Sequence, residues 1–383
     1  MLVNQMTSMM IRNDQRGKEE KKQGQPVDII TGLQSPSQNI YYTLSIINKV
    51  VTDPLGVLPS ISVPKVAEYN VDRSNVILSN PSNYRVAVSR LAIPSGLIPL
   101  FLYPSNPSYY TVTLSYFDGV TTQQFTRNVS YVQSSVGDPY SQYRPVYHIN
   151  EMIQYVNLAF QQAYDDAIAA LGALVYLPKE RPYLTFDSKT QLITMYCETE
   201  YLDFQTFGIF FNTTLYENFF SALYAREAAS GTLTGFNGYQ VIPQNLFTNV
   251  NENTTLPGGA VPVDLYLVIE EFSTTALFNQ LDRIAVTTHR MPINSDLIGT
   301  QQDSRARILY DFIVEDRIQD KVKYELDPTR LRWRELSSHT PMTAIDLQFY
   351  LIFNDGQIVP LYIQADQRID AQLLFVPVGC FYQ

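Results

Sequence analysis

The chain has 383 residues, of which 45% are hydrophobic and 17% charged, so it can bury a sizeable core and wholesale disorder is excluded. A formal net charge of −10 makes the folded body a poor candidate for a bulk nucleic-acid coat, which needs a positive field to displace counterions. Two distant cysteines, Cys197 and Cys380, and three histidines without ligand-like spacing exclude a disulfide framework and a cysteine-based zinc site.

Residues 1–38 are polar and show no hydrophobic periodicity, which predicts an extended N-terminal arm. Acids interrupt its basic run, which includes Arg12 and Arg16, and this argues against DNA contact. The arm is either a solvated tail or a segment that docks on a partner subunit. The first ten residues lack the basic and apolar regions of a signal peptide.

Residues 39–136 form a strand-rich block. The predicted strands, rich in β-branched and aromatic residues, are 41–47, 85–91, 109–117 and 121–132. Side chains alternate between the two faces of the second strand. We therefore expect Val86 and Val88 on one face, and Ala87 and Leu91 on the other.

Residues 137–260 carry the helical signals. Apolar residues recur at steps of three and four from Met152 to Leu174, which predicts a long amphipathic helix with Asn150 as its N-cap. The predicted elements that follow are a hairpin turning at 187–190, a strand at 207–211, and a short helix at 214–225 capped by Asn212 or Thr213.

Residues 261–383 return to β structure. The predicted strands are 263–270, 283–288, 307–314, 344–353, 358–363 and 371–376, with a short helix at 273–281 and a hairpin turn at 354–357. The two outer blocks supply about the eight strands of a jelly roll, and the middle block is then an insertion between strands.

Chemistry-bearing motifs are missing from the sequence, including the phosphate-binding loop, the zinc-protease helix and the nucleophile elbow. The acid pairs, such as Glu270-Glu271, are interpreted as solvated charge at the edges of elements. His339 lies beside Ser337 and Ser338, but a nucleophilic pair needs a third group and an oxyanion hole. We therefore predict no enzyme, no metal site and no cofactor.

Trp333 is the only tryptophan, and it lies between Arg332 and Arg334. Tryptophan and arginine dominate interface hot spots, so these three residues are candidates for a contact with a partner. The alternative is a core tryptophan that closes the sandwich while the arginines remain hydrated.

The segment 91–103 is apolar and interrupted by prolines, which prevent full pairing in the centre of a sheet. It is either a covering loop or an apolar surface for neighbouring subunits, with Ile98, Leu100 and Phe101 as the candidate contacts. The longest uncharged stretch, 91–117, contains four prolines, so we expect a soluble protein with no transmembrane segment.

Several stretches, in order along the chain, resemble the penton (vertex) and minor capsid proteins of polinton-like viruses, adintoviruses and virophages. The first reads ILSNPSNYRVAVSRLAIP at 77–94. The others are FNTTLYENFF at 211–220, RIAVTTHRMPI at 283–293, LRWREL at 331–336, and shorter matches on to 372–375. Together they cover residues 77–376, although much of 230–259 has no counterpart.

This resemblance implies a mainly β, jelly-roll vertex subunit that forms homopentamers at the five-fold vertices of an icosahedral virion. Its partners would be further copies of itself, a separate double-jelly-roll major capsid protein, and other minor capsid proteins or a vertex fibre. It implies no enzymatic site and no sequence-specific nucleic acid. The expected location is the virion, after synthesis as a soluble protein in the host cell.

Three other functions remain open from the residues. The first is a minor or cement capsid protein away from the five-fold axis. The second is a glycan- or receptor-binding β-sandwich module that uses the Tyr-rich middle block. The third is a hydrolase on a sandwich scaffold, which would need two convergent acids.

Overall fold

The computed structural model describes residues 39–48, 64–117, 119–133, 139–172, 177–203, 206–228, 238–243, 248–254, 263–297, 305–314, 321–325, 331–364 and 366–379. The predicted N-terminal arm, with Arg12 and Arg16, lies outside these residues.

Short and long strands alternate with a few helices along the chain. The first strands are β1 Ile40–Ile47, β2 Lys65–Val66, β3 Glu68–Asp72 and β4 Tyr84–Pro94. The next elements are β5 Phe101–Leu102, β6 Thr111–Phe117, β7 Thr122–Asn128, β8 Pro145–Val146, helix α1 Ile149–Leu171, β9 Tyr183–Asp187, β10 Leu192–Glu198 and β11 Phe207–Asn212. Then come α2 Thr213–Leu215 with a π-helical turn Tyr216–Phe220, β12 Ala225–Glu227, β13 Gly238–Val241, β14 Thr248–Thr254, β15 Val263–Ile269 and α3 Thr275–Phe278. The last are β16 Leu281–Thr288, β17 Asp296–Leu297, β18 Arg305–Ile313, β19 Lys321–Glu325, β20 Arg334–Glu335, β21 Ala344–Phe353, β22 Ile358–Pro360, β23 Tyr362–Ile363 and β24 Arg368–Pro377.

The chain forms two compact units. Unit 1 comprises Met1–Ile98 and Leu281–Gln383, and unit 2 comprises Pro99–Gln280. The inserted unit is therefore wider than the predicted 137–260. The reason is that strands β6 and β7 pack with helix α1 in one core, although they precede the helical block in sequence.

Among the described residues, the two larger sheets of unit 1 are antiparallel, and the chain passes back and forth between them. One sheet has the order β1-β24-β4-β19, and in the other β3 pairs with β21, followed by β16 and β18. If these eight strands are numbered along the chain, the orders are 1-8-3-6 and 2-7-4-5. This is the arrangement of a jelly roll, with unit 2 inserted between its third and fourth strands. The predicted fold class is confirmed.

The alternation predicted for β4 is wrong beyond Val88. The β4 register with β24 shifts between Leu373 and Gln372, so Ser89 is the extra residue of a β-bulge. Val86, Val88, Leu91 and Ile93 are all buried, because the bulge returns the later residues to the same face as the earlier ones.

Unit 2 is built around helix α1. Its apolar face, with Met152, Val156 and Phe160 fully buried, packs against β6, β7 and β9. The helix begins at Ile149, after His148, so the prediction of Asn150 as N-cap is wrong by two residues. The helix ends at Leu171, and the C-cap residue Gly172 has a φ of 55°, which favours glycine.

The second predicted helix is shorter than expected. The side chain of Asn212 accepts a hydrogen bond from the N–H of Leu215 at 3.2 Å, which confirms it as the N-cap. The helical segment ends at Phe220, five residues before the predicted Ala225, because the chain turns to pair β12 with β13. The predicted hairpin of β9 and β10 is confirmed by its register.

Candidate functional site

Trp333 lies on the outer face of the β1-β24-β4-β19 sheet. It belongs to the segment 331–336, which we call the Trp333 strap and which pairs with β4 through Arg334 and Glu335. The indole ring is half-buried and packs against an apolar group made of Ala87, Leu331, Leu374 and Val376. The tryptophan is thus anchored within unit 1 and remains only half-buried.

A cation stacks on this ring. The Arg85 guanidinium carbon lies 4.6 Å from the centroid of the Trp333 ring, within the range of a cation–π contact. The strap residue Glu335 pairs with Arg85 across the strands. The arginine that meets the tryptophan is therefore one that lies 248 positions away in sequence rather than either of its neighbours in the chain.

Both neighbouring arginines are bound within unit 1. Arg332 forms ion pairs with Asp311 and, at 3.4 Å, with Asp296. Arg334 forms an ion pair with Asp296 and donates from Nε to the carbonyl oxygen of Ile308 at 2.9 Å. Burial lowers the pKa of Arg334 from its usual value. Acids of β17 and β18 therefore bind both guanidinium groups, and 39% of the Arg332 side chain remains exposed.

The apolar candidates from the segment 91–103 lie largely in the interior of their own units. Ile98 is 3% exposed and Phe101 is fully buried, its ring centroid 5.1 Å from that of Phe219. Leu100 is half-buried, and its N–H donates to the Val146 carbonyl oxygen at 2.7 Å. Of these three candidates, Leu100 alone keeps part of its surface exposed.

Four carboxyl side chains are buried among the described residues, and the sequence does not single them out. The Asp346 carboxylate accepts hydrogen bonds from Thr288 Oγ1 at 2.5 Å and from the N–H groups of His289 and Arg290 at 2.7 and 2.9 Å. Glu270 accepts from the Ile193 N–H at 2.9 Å and from Thr274 Oγ1 at 2.7 Å, and burial raises its pKa to about 7. The other two are Glu180 and Glu198. Such buried carboxylates can be recognised only in the folded structure, because folding brings their hydrogen-bond donors to them.

The interpretation of Glu270-Glu271 as solvated charge is therefore wrong for Glu270, which is 2% exposed and binds backbone.

The histidine at 339 meets a serine other than the two beside it in sequence. Its Nδ1 lies 3.0 Å from Ser82 Oγ, at an exposed position, and the same hydroxyl donates to Asn80 Oδ1 at 2.7 Å. Within the described ranges, no group of three or more His, Cys, Asp or Glu residues is arranged to hold a metal ion. Among the helices that the structure describes, none has the length and apolarity needed to cross a bilayer.

The net charge of the protein belongs entirely to the inserted unit. Unit 2 contains six Lys and Arg residues against sixteen Asp and Glu, a net −10, whereas unit 1 contains twenty-one of each. An anionic unit repels the phosphate backbone of a nucleic acid. Contacts of the inserted unit are therefore expected with solvent or with protein.

Comparisons with known proteins agree on the architecture. A family model described as Sputnik minor capsid protein V18/19 matches residues 40–376. A chain of the 3.5 Å cryo-EM structure of the Sputnik virophage aligns with a TM-score of 0.66 at 19% identity, covering 89% of this chain and 98% of that one. The crystal structure of selenomethionine-labelled mavirus penton protein aligns with a TM-score of 0.60 at 15% identity, covering 89% of this chain and 100% of that one. No curated protein matches this chain.

Proposed function

Because this chain belongs to the Sputnik minor capsid protein V18/19 family, we propose that it is the penton subunit of its virion. Membership of the family makes it a structural capsid protein located in the virion. The proposal adds that five copies form a ring at each five-fold vertex. It also adds that the ring docks on a double-jelly-roll major capsid protein.

The observation that carries the proposal is the extent of the family match. It runs from the first strand of unit 1, through the whole of unit 2, to the last strand of unit 1. The matched range therefore spans the inserted unit as well as the jelly roll. Unit 1 is an eight-stranded jelly roll with loops at both ends, and this architecture suits a subunit that is surrounded by others.

Two surfaces are proposed for the contacts. In a closed ring each subunit offers two different patches, because five-fold contacts are heterologous. The half-buried Trp333, with Arg85 over its ring, is proposed as one patch because large rings held rigidly are effective anchors. The N-terminal arm, with Arg12 and Arg16, is proposed to dock on a neighbour during assembly.

A second candidate function is a minor capsid position away from the five-fold axis, which the family description itself favours. The glycan-binding alternative receives less support from unit 2. Within the predicted middle block, 137–260, Tyr155, Tyr201 and Tyr216 are buried in the core and cannot meet a ligand at the surface.

The test is the stoichiometry of the purified full-length chain, measured by light scattering and negative-stain imaging at several protein concentrations. Pentameric rings support the vertex position, and trimers would favour a face or cement position. Co-expression with the major capsid protein of the same virus, followed by cryo-EM of the particles, then identifies the position directly. Density for this chain anywhere but the five-fold axis would contradict the proposal.

A further inference from the structure

Strand β1 forms one edge of the β1-β24-β4-β19 sheet. Within the described residues, β24 is the only strand that pairs with it, and the register of this pair is unbroken over all eight residues of β1. A strand at the end of a sheet directs part of its backbone N–H and C=O groups away from the sheet, where a further strand can pair with them. Because Tyr42, Leu44 and Ile46 are buried in the core, this edge is held rigidly in place.

The sequence of β1 lacks the features that keep a sheet edge from pairing with other chains. It reads IYYTLSII and contains no charged residue, no proline and no glycine. Its outer face includes Tyr41 and Ile47, which are 54% and 41% exposed. A regular, uncharged edge strand of this kind promotes uncontrolled association unless another segment covers it.

The other long edge strands of the two sheets carry charges that disfavour the approach of a further strand. The charged residues are Glu68 and Asp72 in β3, Arg305, Arg307 and Asp311 in β18, and Lys321, Lys323 and Glu325 in β19. The register of β18 with β16 is also interrupted, and the carbonyl oxygen of Ile308 in β18 accepts from Arg334 Nε at 2.9 Å. The contrast among these four strands indicates that β1 is the edge at which a partner strand is accepted.

One segment of the N-terminal arm has the composition of such a partner strand. Residues 27–31, Val-Asp-Ile-Ile-Thr, are rich in β-branched residues and lie between Pro26 and Gly32, which is the pattern of a short strand. In the rest of the sequence 1–38, β-branched residues occur singly. We call residues 27–31 the arm strand.

The spacing between the arm strand and β1 favours pairing between copies. Residues 32–39 connect the two segments, and these eight residues exceed the usual length of about two to five for a β-hairpin loop. Fully extended, they span about 26–29 Å. This distance is greater than the width of a four-stranded sheet, in which neighbouring strands are about 4.8 Å apart. The arm strand can therefore reach an adjacent copy.

We propose that the arm strand of one copy adds to β1 of the adjacent copy as a further strand of its sheet. The inference rests on the proposed five-fold ring, and it names the surface on which the arm docks. Backbone hydrogen bonds supply the contact, as in other cases of strand addition to a sheet edge. Each subunit gives one arm and receives another, so a closed ring leaves no β1 edge uncovered.

The experiment is hydrogen exchange of the full-length chain at protein concentrations below and above ring formation, with light scattering of the same samples. Peptides that contain β1 should gain protection of at least about tenfold at several amides when rings form, because opening the edge then requires release of the arm strand.

The test variant combines Ile29→Pro with Ile30→Pro. Successive N–H groups of a strand point to opposite sides, so two consecutive prolines remove a donor toward β1 whichever side of the arm strand faces it. This variant should show no gain of protection in β1. The matched control combines Met10→Pro with Ile11→Pro elsewhere in the arm, and it should behave as the unmodified chain does.

A mixed assembly distinguishes exchange between copies from pairing within one copy. The double-proline variant of the arm strand is isotope-labelled and assembled with an excess of the unmodified, unlabelled chain. Labelled β1 peptides should become protected, because neighbouring copies supply the arm strand. Labelled peptides that stay unprotected would overturn the exchange.

Rings whose β1 peptides gain no protection, or gain it equally in the double-proline variant of the arm strand, would overturn the inference and leave the vertex position intact. The inference is also wrong if β1 is already protected in the isolated subunit, or becomes protected only when the major capsid protein is added. Loss of rings in the arm-strand variant, with normal rings in the control, would support it. Absence of rings from the unmodified chain would contradict the vertex position and this inference together.

Discussion

The side-chain amide of Asn157 pairs with the backbone of Leu184 through both of its polar atoms. Its Nδ2 group donates to the Leu184 carbonyl oxygen at 2.8 Å, and its Oδ1 atom accepts from the Leu184 N–H at 2.7 Å. Leu184 lies on β9, the edge strand of its sheet, and Asn157 lies on helix α1. The side chain of a helical residue thus makes the two backbone hydrogen bonds that a neighbouring strand would make, and it covers the edge of the sheet.

Asn157→Ala should destabilise the protein by about 2–5 kcal/mol, because it leaves a buried N–H and a buried carbonyl oxygen without partners. Denaturant unfolding monitored by circular dichroism measures this change. The control is Gln162→Ala, at an exposed position of the same helix, where the change should be small. Equal effects at the two positions would mean that the amide pair contributes nothing.

Trp333→Ala should abolish or weaken assembly. The half-buried ring contributes packing to unit 1, so a loss of folding free energy of about 1–3 kcal/mol is expected as well, too little to unfold it. Light scattering measures assembly and calorimetry measures unfolding of the same samples. Val120→Ala, at a position that is 86% exposed in unit 2, is the control for surface truncation. Normal rings formed by Trp333→Ala would exclude the strap from the interface.

Asp296→Asn should destabilise unit 1, because Asp296 is the shared partner of Arg332 and of the largely buried Arg334. A loss of about 1–3 kcal/mol is expected for a charge left without its partner. The comparison is Asp72→Asn, which breaks the ion pair with Arg290 where the aspartate is 73% exposed. Exposed pairs contribute about 0–1 kcal/mol, so the second variant should unfold almost as the unmodified protein does.

Glu270→Gln should flatten the dependence of global stability on pH. Burial raises the pKa of Glu270 from 4.5 to about 7, so the folded state binds more protons than the unfolded state between these values. Stability is therefore lost as the pH rises from about 4.5 to 7, by up to about 3 kcal/mol for this group. Unfolding free energies at pH 4.5, 6 and 8 test the slope, which should be smaller in the variant.

Deletion of residues 1–35 removes Arg12 and Arg16 with most of the arm. Incorporation into particles should fall while the melting temperature of the isolated subunit remains the same, because the arm is proposed to act only on assembly. Replacing both arginines with glutamine in the full-length chain separates charge from length. Unchanged incorporation of the truncated chain would remove the arm from the proposed mechanism.

Most of the local structure could be predicted from the sequence. Helix α1 and the strands β1, β10, β11 and β21 lie close to their predicted positions, because periodicity and turn residues act between neighbours in the chain. Deviations occurred where distant partners intervened. The bulge at Ser89 depends on the register with β24, and the early end of the short helix depends on the pairing of β12 with β13.

The candidate site was predicted less well. Trp333 was chosen because it is the only tryptophan, and the structure places it where a contact is feasible. The arginines beside it were candidates for a partner contact or, alternatively, for hydration, and their ion pairs were not predicted because nothing local connects Arg332 and Arg334 to Asp311 and Asp296. The same holds for Glu270, whose pKa is raised by burial, and in the main for Glu198, whose pKa is raised first by burial and then by the nearby charge of Glu200.

By itself, the sequence determined the class of protein: mainly β, with one long amphipathic helix, acidic, without catalytic motifs, and similar in ordered motifs to vertex capsid proteins. These properties depend on composition and on spacings of a few residues. Only the tertiary structure decided that Pro99 and Gln280 bound the inserted unit, that Ile98 and Phe101 are buried, and which charges pair. Burial and ion pairing depend on groups far apart in the chain, and their free energies take effect only when the folded core brings those groups into contact.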